Sequence, residues 1–355
     1  MKEHFLKLLV LTCALSLSSN TLGFGKDRIK KLNWNGIEVT WLEDNRFPTY
    51  QAMIHFADGS LSDHSKRRGE TSMMFDLMDS GTRRYSQKDI SDNLEYFGAG
   101  WGAYVTHEST VFEVSGLAKD MSPTMKKICH IFRDASFTKK EMDKYKRAFR
   151  NGARSAVNNH SLIASKSFRE LSLSGTPYSY PTAGKVKDLK RIHSKDLKNK
   201  LAYFNTKVKK KVYITGPKSI LGLEGILTRD CGWKGAAEDY ERVLTYTPKK
   251  PTTSPEIYLV AVPKANQAQV RLGRFLNEGE FENQELNSLS SEFLGGGFTS
   301  KLMREIRVKR GLSYTASAYA GGQRQYGRSV ISTFTKVKTV KELLEVVKNV
   351  LADIK

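Results

Sequence analysis

The stretch Phe293-Leu-Gly-Gly-Gly-Phe-Thr-Ser-Lys-Leu-Met-Arg-Glu-Ile-Arg307-Val-Lys-Arg-Gly-Leu-Ser-Tyr314 decides how this chain is read. Gly295-Gly-Gly297 marks a tight turn, because glycine takes the backbone conformations of such a turn without a Cβ penalty. A phosphate-binding loop is excluded, since the Gly-Lys-Ser/Thr order and spacing are absent. After the turn a helix is expected over Phe298–Lys309 and a strand over Tyr314–Ala320, with Arg307 and Tyr314 seven positions apart across the passage. By residue type alone, an arginine among Arg304, Lys309 and Arg310 is a solvated helix face, and a tyrosine opening a strand is core.

Working outward, the apolar pattern predicts strands at Ile257–Val262 and Ala268–Leu272 and a helix over Glu282–Leu294. Downstream it predicts a strand over Arg328–Phe334, then a helix with Val340, Leu343, Leu344 and Val347 on one face. The prolines of Pro248-Lys-Lys-Pro251-Thr-Thr-Ser-Pro255 deny helix and ladder hydrogen bonds, so 246–255 reads as a linker. Before it, Ile37/Val39/Trp41 and Ala52/Ile54/Phe56 alternate as half-buried strands. Ser86 with Asp89 caps a helix carrying Ile90, Leu94 and Phe97 up to Gly98. Trp101–Val105 and Ser109–Leu117 read as an antiparallel pair. Helical stripes follow at Met125/Ile128/Cys129/Phe132, Met142/Tyr145/Phe149 and Leu197/Leu201/Phe204, then a strand at Val212–Thr215. Strands grouped and helices grouped make an α+β chain, and the order strand-strand-helix-strand-strand-helix after the linker repeats the order before it. The expected units are an N-terminal half-domain at 30–245 and a C-terminal one at 256–355.

A length of 355 residues is enough for about two domains at ~150 residues each. The net charge of +21 implies attraction to anionic partners. No nucleic-acid-binding pattern accompanies it, and the basic residues are spread thinly except at Lys207, Lys209, Lys210 and Lys211, so a solvated basic surface is expected and no nucleic-acid partner. At the N-terminus, Lys2 and Lys7 flank an apolar run from Leu8 to Leu17 that ends in small residues up to Gly23. Residues 1–23 therefore read as a secretory signal peptide, which places the protein in the periplasm or cell envelope. Cys13 lies within the run without the approach residues of a lipidation site. Removal of the leader leaves Cys129 and Cys231, which permit one disulfide if the fold brings them together. No other segment is long and apolar enough to span a membrane stably.

The elements around Arg307 resemble the C-terminal half-domain of the insulinase/mitochondrial processing peptidase (pitrilysin) family of zinc metalloproteases. The resemblance rests on Gly295-Gly-Gly297, Ser300, Leu302, Arg307, Gly311, Leu312 and Tyr314, with Gln267 on the strand entering that half. It implies two related half-domains, each a mostly antiparallel sheet packed with helices. It also implies that the second is shortened, since family half-domains carry further helices after the one ending here. The sheet then keeps an exposed apolar face unless a partner covers it.

Zinc hydrolysis requires three protein ligands, an open coordination position and a general base. The family supplies two ligands and the base from a His-x-x-Glu-His helix, and a glutamate further on. Counting back from Gly81-Thr82 and Tyr85-Ser86 puts those positions at Ser72, Phe75 and Asp76, and the distant glutamate at Gly152. All four are lost, and no histidine lies between His64 and His107 to replace them. Among the seven histidines no pair has three- or four-residue spacing, and His107-Glu108 reads as a turn pair. No metal site and no catalytic residue is therefore expected in this chain. What the resemblance implies instead is a pseudoprotease, the non-catalytic subunit of a heterodimer. Arg307 and Tyr314 would bind substrate, donating hydrogen bonds to a peptide carbonyl at a zinc held by a homologous partner subunit. The alternative is a stand-alone peptide-binding or regulatory protein, alone or self-associated.

Overall fold

A computed structural model describes residues 28–235, 255–324 and 326–354. The expected leader at 1–23 with Cys13, and the proline run from Pro248 to Ser254, lie outside those residues.

The first half is built on a six-stranded sheet of order β1-β2-β6-β3-β5-β4. Its strands are β1 (Ile29–Trp34), β2 (Ile37–Glu43), β3 (Thr49–Phe56), β4 (Gly100–Val105), β5 (Thr110–Leu117) and β6 (Lys210–Gly216). All neighbours are antiparallel except β2 and β6. Period-two alternation sorts the faces: β2 buries Ile37, Val39 and Trp41, and β3 buries Tyr50, Ala52, Ile54 and Phe56. β1, absent from the sequence reading, was announced by Asn35-Gly36. These two residues have φ of 51° and 85°, the left-handed pair that a two-residue hairpin turn requires.

Helices α1 (Glu70–Leu77), α2 (Gln87–Tyr96), α3 (Met121–Asp134), α4 (Lys139–Ser155) and α6 (Ser194–Thr206) contribute to the core on the apolar face, while α5 (His160–Ser172) stands apart from it. The capping box expected at Ser86 and Asp89 is present at the start of α2. Aromatic rings from several elements fill the core, with Phe132 5.0 Å from Trp233 and Phe75 5.3 Å from Phe204, both edge-on. Cys129 on α3 and Cys231 form a disulfide with Cα atoms 4.5 Å apart, closing a separation of 102 residues.

The second half holds a three-stranded antiparallel sheet of order β7-β9-β8, from β7 (Gln267–Leu276), β8 (Ala316–Gly322) and β9 (Gly327–Lys336). Its helices are α7 (Gln284–Gly295), α8 (Lys301–Met303, continued by a π turn at Arg304–Val308) and α9 (Val340–Ala352). Leu302, Ile306, Leu343 and Val347 pack with Ile331 as its core. The α+β class, two mostly antiparallel sheets with helices, is as expected.

Three details of this half differ from the sequence reading. Ile257–Val262 forms no strand and lies exposed, with Leu259 92% accessible. A strand needs a ladder partner. In the first half β2 has β6, lodged between it and β3; among the described residues no strand takes that place beside β7. Second, α8 starts at Lys301 rather than Phe298, because Gly297 to Thr299 are spent on the turn and Ser300, in extended conformation, is the N-cap. Third, Tyr314 precedes β8 instead of opening it.

The halves meet where α5 lies along β7. Arg271 of β7 donates to the Ser161 carbonyl (3.2 Å), Ser161 Oγ (2.7 Å) and Ser165 Oγ (3.1 Å). Tyr178 and Tyr326 pack with ring centroids 3.9 Å apart and planes tilted by 32°.

Candidate functional site

The four positions read as a vanished zinc site sit on α1 and α4, and the fold holds α1 firmly. Its start is anchored by the Asp63 carboxylate, which accepts from the Gly69 amide (2.8 Å), the Thr71 amide (3.0 Å) and Thr71 Oγ1 (2.6 Å). A carboxylate at a helix N-terminus also answers the positive end of its dipole. Lys200 of α6 pairs with Asp63 at 3.5 Å. Gly69 has φ of 93°, and a Cβ there would strike the Ala183 carbonyl, while one at Gly184 would strike the Arg68 carbonyl. Only glycine allows these two backbones to approach so closely. Every residue of α1 except Asp76 is buried.

What occupies the ligand positions is not zinc chemistry. Ser72 Oγ donates to the Thr182 carbonyl at 3.1 Å. Phe75, in the base position, is 4% exposed and packs on Phe56, Phe132 and Phe204. Asp76 keeps solvent contact and accepts the Tyr145 hydroxyl at 2.7 Å. Burial among its neighbours raises the Asp76 pKa, and the Tyr145 hydrogen bond opposes that shift. Burial, then the charge of Asp76, pushes the Tyr145 phenol up in turn. Gly152 offers no side chain, and the space where its Cβ would stand is open. One carboxylate, already hydrogen-bonded, cannot replace three ligands and a base, so these residues do not fit zinc. Among the described residues no cluster of three or more His, Cys, Asp or Glu is placed to hold a metal ion.

Tyr145 is the residue that the sequence reading undervalued, taking it only as part of an apolar stripe. Its seven-residue spacing from Gly152 places both on one face of α4, and that is the signal by which its hydroxyl could have been found. His107 is no ligand: its Nε2 is 2.8 Å from the Tyr180 carbonyl, and burial holds its pKa down.

Arg307 and Tyr314 lie in the second half and are not joined to α1 by any hydrogen bond or ion pair among the described residues. The Arg307 guanidinium lies 4.8 Å over the Phe298 ring, a cation–π contact. Tyr314 is 78% exposed. Both therefore present hydrogen-bond donors to solvent. A further surface flanks α1: β4 packs beside it and pairs only with β5, leaving one strand edge unpaired among the described residues. No helix of the described residues is long and apolar enough to cross a membrane.

Comparison with known proteins bears on this arrangement. Residues 40–185 match the family model described as Insulinase (Peptidase family M16), and residues 233–355 the one described as Peptidase M16 inactive domain. The chain is 22% identical over 196 residues to the mitochondrial-processing peptidase subunit beta of Bos taurus, covering 55% of this chain and 38% of that protein's length. It is 22% identical to the non-peptidase homolog YmxG of Helicobacter pylori, over 97% of this chain and 80% of the relative. Among solved structures, the peptidase M16 inactive domain from Pseudomonas fluorescens superposes with a TM-score of 0.74 at 21% identity, over 92% of this chain and 78% of that one. A protease from Helicobacter pylori superposes with a TM-score of 0.74 at 16% identity, over 91% and 78%. These two likenesses concern the fold.

Proposed function

Because this chain belongs to the insulinase (M16) peptidase family, as a member without a catalytic site of its own, we propose that it is the non-catalytic subunit of a two-chain zinc peptidase. It binds extended peptide and contributes Arg307 and Tyr314 to a zinc site held by a homologous subunit. The observation that carries this reading is an α1 kept buried and anchored while its ligand positions hold Ser72, Phe75 and Asp76. A framework retained without its chemistry is useful for shaping a peptide-binding surface. The unpaired edge of β4 beside it supplies main-chain donors and acceptors for an added strand, and alternate side chains such as exposed Tyr104 flank that edge. The net charge of +21 favours acidic peptides and makes their binding sensitive to salt.

In this scheme the guanidinium of Arg307 and the hydroxyl of Tyr314 donate to the scissile carbonyl as negative charge develops on its oxygen. No proton or metal step is assigned to this chain: purified alone it is expected to take up no stoichiometric zinc and to cleave no peptide, which metal analysis and a peptidase assay check. Export to the periplasm or envelope fits the same reading, and the Cys129–Cys231 disulfide supports it, since such bonds persist in oxidising compartments.

The test is turnover by the complex with a His-x-x-Glu-His homologue. Arg307→Ala and Tyr314→Phe are expected to leave assembly intact and to lower kcat by roughly 10²–10³-fold, the scale of a lost oxyanion donor. The partner alone is expected to be nearly inactive. Turnover indifferent to both substitutions would make the two residues structural. A partner fully active in isolation would favour the second reading, a stand-alone or self-associated peptide binder, for which the free β4 edge is the supporting observation.

A further inference from the structure

The two ends of the crossing between α5 and β7 are unlike. At one end Arg271 is fully engaged by Ser161 and Ser165. Arg271 and Phe275 share a face of β7 by strand period, and Phe275 stands directly opposite Arg328 on β9, so Arg328 faces α5 as well. Phe275 packs there against Leu173, Tyr178 and Tyr326. The residues that α5 brings to this second end, four and seven positions after Ser165, are Arg169 and Ser172. Arginine therefore meets arginine where the other end pairs arginine with hydroxyls.

Among the described residues no carboxylate bonds to either guanidinium, although the charge of Glu170 acts on Arg169 from a distance. Neither Arg169 nor Arg328 makes an ion pair among the described residues, and Arg169 Nε and Ser172 Oγ are buried without a hydrogen-bond partner. The carboxylates nearby are committed elsewhere. Glu108 accepts from the Tyr178 hydroxyl at 2.6 Å with one oxygen and from the Arg324 amide at 3.1 Å with the other. Glu170 pairs with Lys185 at 3.0 Å. Burial first, and then the charge of Arg328, lowers the Arg169 pKa, as expected where two cations share a partly desolvated site.

We propose that Arg169 and Arg328, assisted by the Ser172 hydroxyl, form a carboxylate-binding site at the junction of the two halves, and that the carboxylate comes from a bound peptide. Guanidinium groups present planar forks of donors that match a carboxylate's two oxygens, and the anion cancels the repulsion between them. The peptide source rests on the function proposed above; the anion site itself does not. Filling it also ties α5 of the first half to β9 of the second.

Two measurements on the full chain separate these statements. In the first, thermal unfolding is followed during titration with glutarate, against sodium chloride at matched ionic strength. The wild type is expected to show a saturable rise in Tm that Arg169→Gln and Arg328→Gln each abolish. Ligand-free Arg328→Gln should unfold no earlier than the wild type, because it removes an unpaired like charge. A rise of equal size in wild type and both variants, a general salt effect only, overturns the site. In the second, anisotropy reports binding of labelled peptides carrying one acidic side chain and either a free or an amidated C-terminus. Neutralising the source carboxylate, or Arg328→Gln, is expected to weaken binding about tenfold or more, the scale of a lost hydrogen bond between charged groups. The side-chain amide and the C-terminal amide distinguish which carboxylate is read. Peptide affinity indifferent to both neutralisations, or no peptide binding while the glutarate response persists, removes the peptide as the source.

Discussion

The two halves run through related element orders yet treat their apolar side chains oppositely. In the first, β6 is inserted between β2 and β3, and α6 packs over α1, so the rings of Phe56, Phe75 and Phe204 are closed in. In the second, β7 has a neighbour on one edge only among the described residues, and Leu286, Leu289 and Phe293 form an exposed stripe along α7. The stripe has helical spacing, and so does the buried Leu197/Leu201/Phe204 stripe of α6. Periodicity is thus a statement about a face; whether the face becomes core depends on a second element arriving to cover it.

Substitutions that act through enclosure should strike the first half hard and the second hardly at all. Phe75→Glu, which restores an acid at the base position, places an unpaired carboxylate among Phe56, Phe132 and Phe204. Its cost should exceed about 4–5 kcal/mol, enough to abolish cooperative unfolding in a calorimetric scan. A folded, equally stable variant would mean that α1 has room for catalytic chemistry after all.

Loss of the disulfide comes next. Closure of a loop of 102 residues stabilises by about 4–5 kcal/mol in the chain-entropy account. Replacing both Cys129 and Cys231 with alanine should lower the unfolding free energy by that amount and speed amide exchange in β3 and β6, leaving β7 and β9 protected as before. Equal loss of protection in both sheets would show that the halves unfold as one unit.

Lys210 gives a pH-dependent contrast on the strand for which the second half has no described counterpart. Its ammonium is buried, donates to the carbonyls of Asn205 (3.0 Å) and Val208 (2.8 Å), and is lowered by burial to a pKa of about 8. The unfolded chain holds that proton up to the ordinary value of 10.5, so unfolding takes up a proton between the two values and stability rises with pH across that window. Each unit of the gap is worth about 1.4 kcal/mol. Lys210→Met should flatten the rise; a variant whose stability keeps the wild-type slope from pH 8 to 10 would refute it.

The smallest effect belongs to Leu259, the most exposed large apolar residue of the second half. Leu259→Ser should change stability by less than about 0.5 kcal/mol in urea titration. A larger loss would show that Ile257–Val262 is covered in solution, by a second copy or another chain.

Much of the candidate site was legible before any coordinates. The positions Ser72, Phe75, Asp76 and Gly152 are what the family resemblance implies, whereas the glycine turn before α8 and the Ser86–Asp89 capping box follow from residue identity and spacing. Identity and spacing are local properties, and helix and strand periods convert them directly into faces. The failures were local rules lacking a partner: Ile257–Val262 has strand composition but no ladder, and Tyr145 has a stripe position but uses its hydroxyl.

The sequence by itself determined the α+β class and the relation of the two halves to a zinc peptidase fold, because each depends on what residues are and how far apart they stand along the chain. Only the tertiary structure decided that Cys129 meets Cys231, that Asp76 is occupied by Tyr145, and that Arg169 shares a face with Arg328 without an ion pair among the described residues. Those outcomes depend on groups from 69 to 159 positions apart by their numbering. Pairing, burial and charge balance between such groups are set by how elements pack, and no periodicity within one element contains that information.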